Sequence, residues 1–89
     1  MTDDWRAENA KHLRGLRLVW RRWVKPSDNW DHDHCAGCGA KFAEFEALGV
    51  QHEGFATGED CKHGTGYEWV CRQCFTDLRA EMGWSRSEF

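Results

Sequence analysis

Cys35-Ala36-Gly37-Cys38 and Cys71-Arg72-Gln73-Cys74, separated by 32 residues, decide the reading of this chain. Two residues between cysteines let both sulfurs turn toward one point about 2.3 Å away, and two such pairs complete a tetrahedron around a metal ion. Gly37 and Gly39 suit the first turn, where backbone amides approach the sulfurs closely. The second pair opens a helix, whose free N–H groups and positive end favour thiolates. The spacing predicts one structural Zn2+ held by Cys35, Cys38, Cys71 and Cys74. Two disulfides or unliganded thiols are the other readings of the same residues. With every position filled by protein sulfur, none remains for an activated water. Zinc with four thiolates would move the formal net charge from −3 to about −5. Lys41 and Arg72, beside the pairs, are either partial counter-charges or ordinary solvated cations.

Size makes such a clip consequential. A chain of 89 residues and 10.4 kDa holds one domain, residues 1–89, with a core too small to rest on burial alone. A structural zinc contributes an apparent ~10–16 kcal/mol in isolated finger peptides, comparable with the net stability of a whole domain. No apolar run approaches the ~20 residues a membrane span needs. Met1-Thr2-Asp3-Asp4 has no basic region leading into an apolar stretch, so the expectation is a chain without a secretory signal, in the cytoplasm. Reduced thiols in that compartment favour metal over disulfides.

Charge divides the chain. Residues 1–25 hold seven basic and three acidic side chains, a net of +4; residues 26–89 hold five and twelve, a net of −7. This excludes a basic field over the whole surface but not a local basic patch. Pro26-Ser27-Asp28-Asn29 reads as a turn at the seam, between a basic N-terminal helix and strand unit (1–25) and a zinc-binding unit (30–84). Thr2 or Asp3 can cap a helix over 3–14 whose stripe is Trp5, Asn9, His12 and Leu13. Gly15 allows a left-handed stop. Residues 16–24 fit either a strand (Leu16, Leu18, Trp20) or a helical stripe continuing through Gly15; the β-type residues favour the strand. Gly66–Cys71 reads as a second strand, and Arg72–Met82 as a helix with Phe75, Leu78 and Met82 on one face and Gly83 as its stop. Knuckle, β-hairpin, then a helix carrying the second pair is the order of a treble-clef zinc finger. The expected fold is therefore a small α+β, treble-clef-like unit packed with an N-terminal helix and strand.

Asp31-His32-Asp33-His34 precedes the first pair. In an extended segment the two histidines share one face and the aspartates the other. A second metal there would need a third ligand from His52, Cys61 or His63; otherwise the run orients the knuckle, through hydrogen bonds of the kind that surround metal ligands. The run is similar to one in the His-Me (HNH-type) nucleases, but there it lies between the cysteine pairs, and no matching Asn or His follows Cys74 here. Asp60-Cys61-Lys62-His63 offers a nucleophile beside a base without any oxyanion hole, and its Gly64-Thr65-Gly66 surroundings read as a loop.

Six tryptophans exceed what so small a core can hide completely. Trp69, next to the second pair, reads as core. Trp20 and Trp23 fall on opposite faces of a strand with Arg21 and Arg22, and an exposed Trp beside Arg is the composition of a protein-binding hot spot.

Trp30-Asp31-His32-Asp33-His34-Cys35-x-x-Cys38-x-x-Lys41-Phe42, Gly54-Phe55-x-Thr57 and Trp69-Val70-Cys71-x-x-Cys74-Phe75-x-Asp77-Leu78 resemble a group of small bacterial zinc-binding proteins. The resemblance spans Trp30 to Trp84 and more loosely Trp5 to Trp23, and the Cys61–Gly66 stretch is longer here. It implies a zinc-stabilised fold of bacterial origin and brings no activity. The expected function is a non-enzymatic protein-binding module of immunity, inhibitor or accessory type, with Trp20, Arg21, Arg22 and Trp23 in the interface. Nucleic-acid binding through the same segment, and an HNH-like metal nuclease, are the alternatives.

Overall fold

The computed structural model describes residues 4–86, so Thr2 and Asp3, expected as helix caps, lie outside the described residues. Asp4 caps instead, its carboxylate accepting from the Arg6 backbone N–H at 2.9 Å. Helix α1 is only Trp5–Asn9; after a turn at Ala10 the chain tightens into a 3-10 turn at Lys11–Leu13. The expected helix over 3–14 is thus broken, and of its stripe Trp5, Asn9 and His12 are exposed while Leu13 alone is buried. Trp5 is 59% exposed, whereas Ala7, Ala10 and Leu13 are buried. The two alanines let this segment lie close against helix α2, Arg72–Met82.

Gly15 adopts φ +81 and the chain enters strand β1, Arg17–Arg22, which is the strand alternative for this segment. Strand β2 is His32–His34, β3 Lys41–Ala43, β4 Glu53–Thr57, β5 Trp69–Val70 and β6 Ser85–Arg86. A four-stranded sheet runs β5-β4-β1-β6, and β2-β3 form a separate two-stranded hairpin. β1 pairs antiparallel with β4, from Leu18↔Thr57 to Arg22↔Glu53, and parallel with β6. The molecule is a small α+β fold of two sheets and a principal helix.

The layers follow from the register. Leu18 and Trp20 face α2 with their partners Thr57 and Phe55; Phe75 of α2 stacks on Phe55, ring centroids 3.8 Å apart, and on Trp84 at 6.0 Å. The opposite face is covered by the hairpin, where Phe42 lies against Trp69 at 5.4 Å. Phe42 also fills the place a side chain at residue 54 would take: a Cβ on Gly54 would meet its ring at 2.5 Å. One buried cluster takes in Ala7, Leu13 and Trp23 as well as Phe42, Phe75 and Trp84, so the basic segment and the cysteine-bearing segment share a core.

The strand expected at Gly66–Cys71 shrinks to Trp69–Val70. Thr57, fully buried, holds the preceding loop instead. Its hydroxyl donates to the Gly64 carbonyl and accepts from the Tyr67 and Glu68 amides, while its own carbonyl accepts from the Gly66 N–H. Helix α2 matches its expected limits and ends on Gly83 at φ +69.

Replacing Gly54 by Ala tests this packing. The added methyl must displace Phe42 from between the two sheets, so the urea midpoint should fall by the equivalent of about 1–3 kcal/mol. An unchanged midpoint would show that the hairpin does not pack on β4 as described.

Candidate metal centre

The turn of the β2–β3 hairpin carries the first cysteine pair. Cys35 N–H donates to the Ala40 carbonyl at 2.7 Å and Gly39 N–H to the Cys35 carbonyl at 3.0 Å, closing the knuckle. Gly39 takes φ +83 there. A bridge between Cys35 and Trp69, with Ala36 N–H donating to the Trp69 carbonyl at 2.8 Å, docks this knuckle on β5. Because β5 runs directly into Cys71, the docking brings the two pairs together. Cys71 caps α2, its sulfur accepting from the Cys74 N–H at 3.4 Å, and Cys74 sits fully buried in the first turn.

The four sulfurs lie within 4.8 Å of one another. Tetrahedral metal–sulfur bonds of about 2.3 Å give edges of about 3.8 Å, and Cys38 Sγ stands 3.7 Å from Cys71 Sγ. These residues could hold a metal ion, and among the described residues they are the one His, Cys, Asp or Glu group of that kind. All five cysteines are free thiols.

Backbone amides supply the surrounding electrostatics. Cys35 Sγ accepts from the Gly37 N–H at 3.4 Å and the Cys71 N–H at 3.2 Å. Gly37 has to be small: a Cβ there would stand 3.1 Å from Cys74 Sγ. Without a cation the thiols of Cys71 and Cys74 hydrogen-bond to Cys35 and hold it far below the ordinary thiol range. The same contact with Cys35 pushes Cys71 up to about 11 and drives Cys74 higher still, since a second and third thiolate would face the first. A bound dication removes that repulsion and displaces the remaining protons.

The cation beside the sulfurs is one the sequence reading missed. Arg6 Nη1 stands 3.9 Å from Cys74 Sγ and 2.9 Å from Asp77 Oδ2, while Nη2 and Nε grip Asp4 at 2.7 and 3.0 Å. Arg6 is held firmly in its charged form, first by Asp4 and then by Asp77. Its place beside residues 68 and 71 positions later has no local signature in the sequence. Lys41, by contrast, lies over the Phe45 ring at 5.3 Å, and Arg72 is exposed.

The remaining candidates scatter. His32 and His34 do share a face, both exposed, with rings 5.0 Å apart, and His32 Nδ1 meets Asp31 at 2.8 Å. Asp33, on the other face, accepts from the indoles of Trp23 at 2.9 Å and Trp30 at 3.1 Å. His52 is tied to the Ala43 carbonyl, and His63 stacks on Tyr67. Cys61 lies in the 58–64 loop, outside the sulfur cluster. Trp69 is core, as expected. Trp23 corrects the expected interface: it is 2% exposed, with its ring bonded to Asp33 and its amide to the His52 carbonyl, so it cannot anchor a partner. Trp20 is half-buried, edge-on to Phe55 at 5.0 Å. Both rings are drawn inward because the small core needs their volume on each face of the sheet. Arg21 and Arg22 remain exposed. No family model, curated protein or solved structure matches the chain.

Three measurements check this centre. Cys71→Ser should lose the bound metal and with it binding free energy on the order of 10 kcal/mol, seen as a collapse of the thermal midpoint, whereas Cys61→Ser should keep both. Arg6→Met should retain the fold and release metal to a chromophoric chelator about tenfold more readily. Because protons compete for Cys71 and Cys74, the apparent metal affinity should rise with pH and fall on acidification; a pH-independent affinity would contradict thiolate ligation.

Proposed function

We propose that the four cysteines hold one zinc ion as a structural clip and that the chain is a non-enzymatic module that binds another protein. The observation that carries this reading is the closed ligand set: four protein sulfurs converge, so a bound ion has no open position for water or substrate. A tetrahedral four-sulfur site suits zinc or iron; zinc needs no redox partner and fits a purely structural part. Knuckle, the β4–β5 hairpin, and α2 carrying the second pair follow one another in treble-clef order, which supports a fold of that type and the resemblance to small bacterial zinc-binding proteins.

Free thiols suit a reducing compartment, which supports a cytoplasmic place for the chain. No described helix is long and apolar enough to cross a membrane. Asp33, one of the two aspartates of the run similar to that of the nucleases, is engaged by two indoles. A binding role of immunity, inhibitor or accessory type is what this scaffold would support.

Elemental analysis of the purified chain should give one zinc and no iron per molecule. The immobilised zinc-loaded chain should retain a defined protein from an extract of its own cells, and lose it when the metal is stripped. Retention of nucleic acid alone, or magnesium-dependent nicking abolished by His34→Ala, would overturn the module reading.

A further inference from the structure

Where β1 ends, the chain crosses a groove of about 300 Å³ whose floor is Trp23 and Trp69. Arg21, Arg22 and Lys25 line it, together with the Gly-rich loop at Thr65 and Gly66. Arg21 reaches across it: a Cβ on Gly66 would stand 3.0 Å from its Nη1. The missing side chain at 66 leaves that guanidinium open. Next to the groove Tyr67 and Trp30 meet edge to face at 6.5 Å, and both are exposed, at 40% and 36%. Trp30 is fixed there by sharing Asp33 with the groove-floor residue Trp23.

Resting on the module reading above, we infer that this groove is the partner site, with Trp23 as its covered floor rather than as an anchor, and that it takes a short acidic peptide segment of another protein. The argument is charge complementarity. Three cations concentrate here on a chain whose net charge is −3. Among the described residues neither Arg21 nor Arg22 forms an ion pair. Asp28 is fully exposed and 3.9 Å from Lys25 Nζ, a loose solvated contact. Asp33 is committed to the two indoles, and Asp60 to the Arg17 amide at 2.9 Å. Glu53 stands opposite Arg22 in the β1–β4 register, and Glu44 accepts from the Lys25 backbone N–H at 3.1 Å. Exposed Tyr and Trp beside Arg are the residues that dominate protein interfaces.

Single-stranded nucleic acid fits less well. Successive bases need free parallel faces, but Trp30 and Tyr67 stand at 81°, and His63 already covers one face of Tyr67 at 4.5 Å. A backbone also needs a long positive track, whereas Glu59 and Asp60 line the adjoining hollow beside Arg17 and Arg21.

The test is fluorescence anisotropy of the zinc-loaded full chain with a labelled Glu-Tyr repeat peptide, its Gln-Tyr counterpart, and an oligothymidylate of matched charge. The Glu-Tyr peptide should bind saturably and more weakly as salt rises, and the Gln-Tyr peptide should not bind. Arg21→Glu combined with Lys25→Glu should weaken binding at least tenfold, and Tyr67→Ala about tenfold at every salt concentration. All these side chains are exposed, and zinc content and the thermal midpoint verify that the variants fold. Failure of the Glu-Tyr peptide to bind, equal binding by the double variant, or tighter binding of the oligothymidylate would overturn the proposal. A natural protein partner retained equally by wild type and double variant would also overturn it, while leaving the module reading intact.

Discussion

Two cysteine pairs far apart in the chain have to meet within the reach of a single ion, and β5 is what makes them meet. This two-residue strand pairs with β4 on one side, receives the knuckle through the Cys35–Trp69 bridge on the other, and runs straight into the helix cap at Cys71. Trp69 serves all three tasks, since its ring also packs against Phe42 and its indole N–H donates to the Gly66 carbonyl. The two sheets are therefore joined at the sulfur cluster. An aromatic core of Phe55, Phe75 and Trp84 on one side and Phe42 and Trp69 on the other closes around that junction.

Burying polar groups in so small a core is tolerable only when each is satisfied, because an unpaired one costs about 1–3 kcal/mol. The structure meets this with groups that serve several partners at once. Thr57 engages three loop residues through one hydroxyl, Asp33 accepts from two indoles, and the Trp84 indole donates to the Leu13 carbonyl. No buried side-chain nitrogen or oxygen among the described residues is left without a partner. Arg6 extends the same economy to the surface, tying the first helix to α2 and a thiol in one gesture.

The four-cysteine cluster was legible in the chain because cysteine spacing within each pair is a local property, and so was α2, with its apolar face and glycine stop. The sheet was not. Strand β4 lies at its centre with both faces covered, so Gly54-Phe55-Ala56-Thr57 shows small and buried residues in place of alternation. Gly54 reads as a breaker in sequence, yet it is there to admit the Phe42 ring. Likewise Trp20 and Trp23 looked like surface anchors because composition says nothing of which aromatic a small core will recruit. The exposed pair proved to be Trp30 and Tyr67, brought together from distant parts of the chain.

The strand order carries a consequence for how the fold is reached. β1 has its partners at Glu53–Thr57 and at Ser85–Arg86, and no neighbouring strands of the larger sheet are joined by a tight turn. Such a topology searches slowly, since long loops must close before any pairing repays the lost chain entropy. An ion gripped early by both cysteine pairs would cross-link residue 35 to residue 71 and shorten the closures that remain. A bound metal would then act on the clock as well as on the equilibrium: the apo chain would have to find its sheet by diffusion, whereas a loaded chain would start with the decisive crossing already tied.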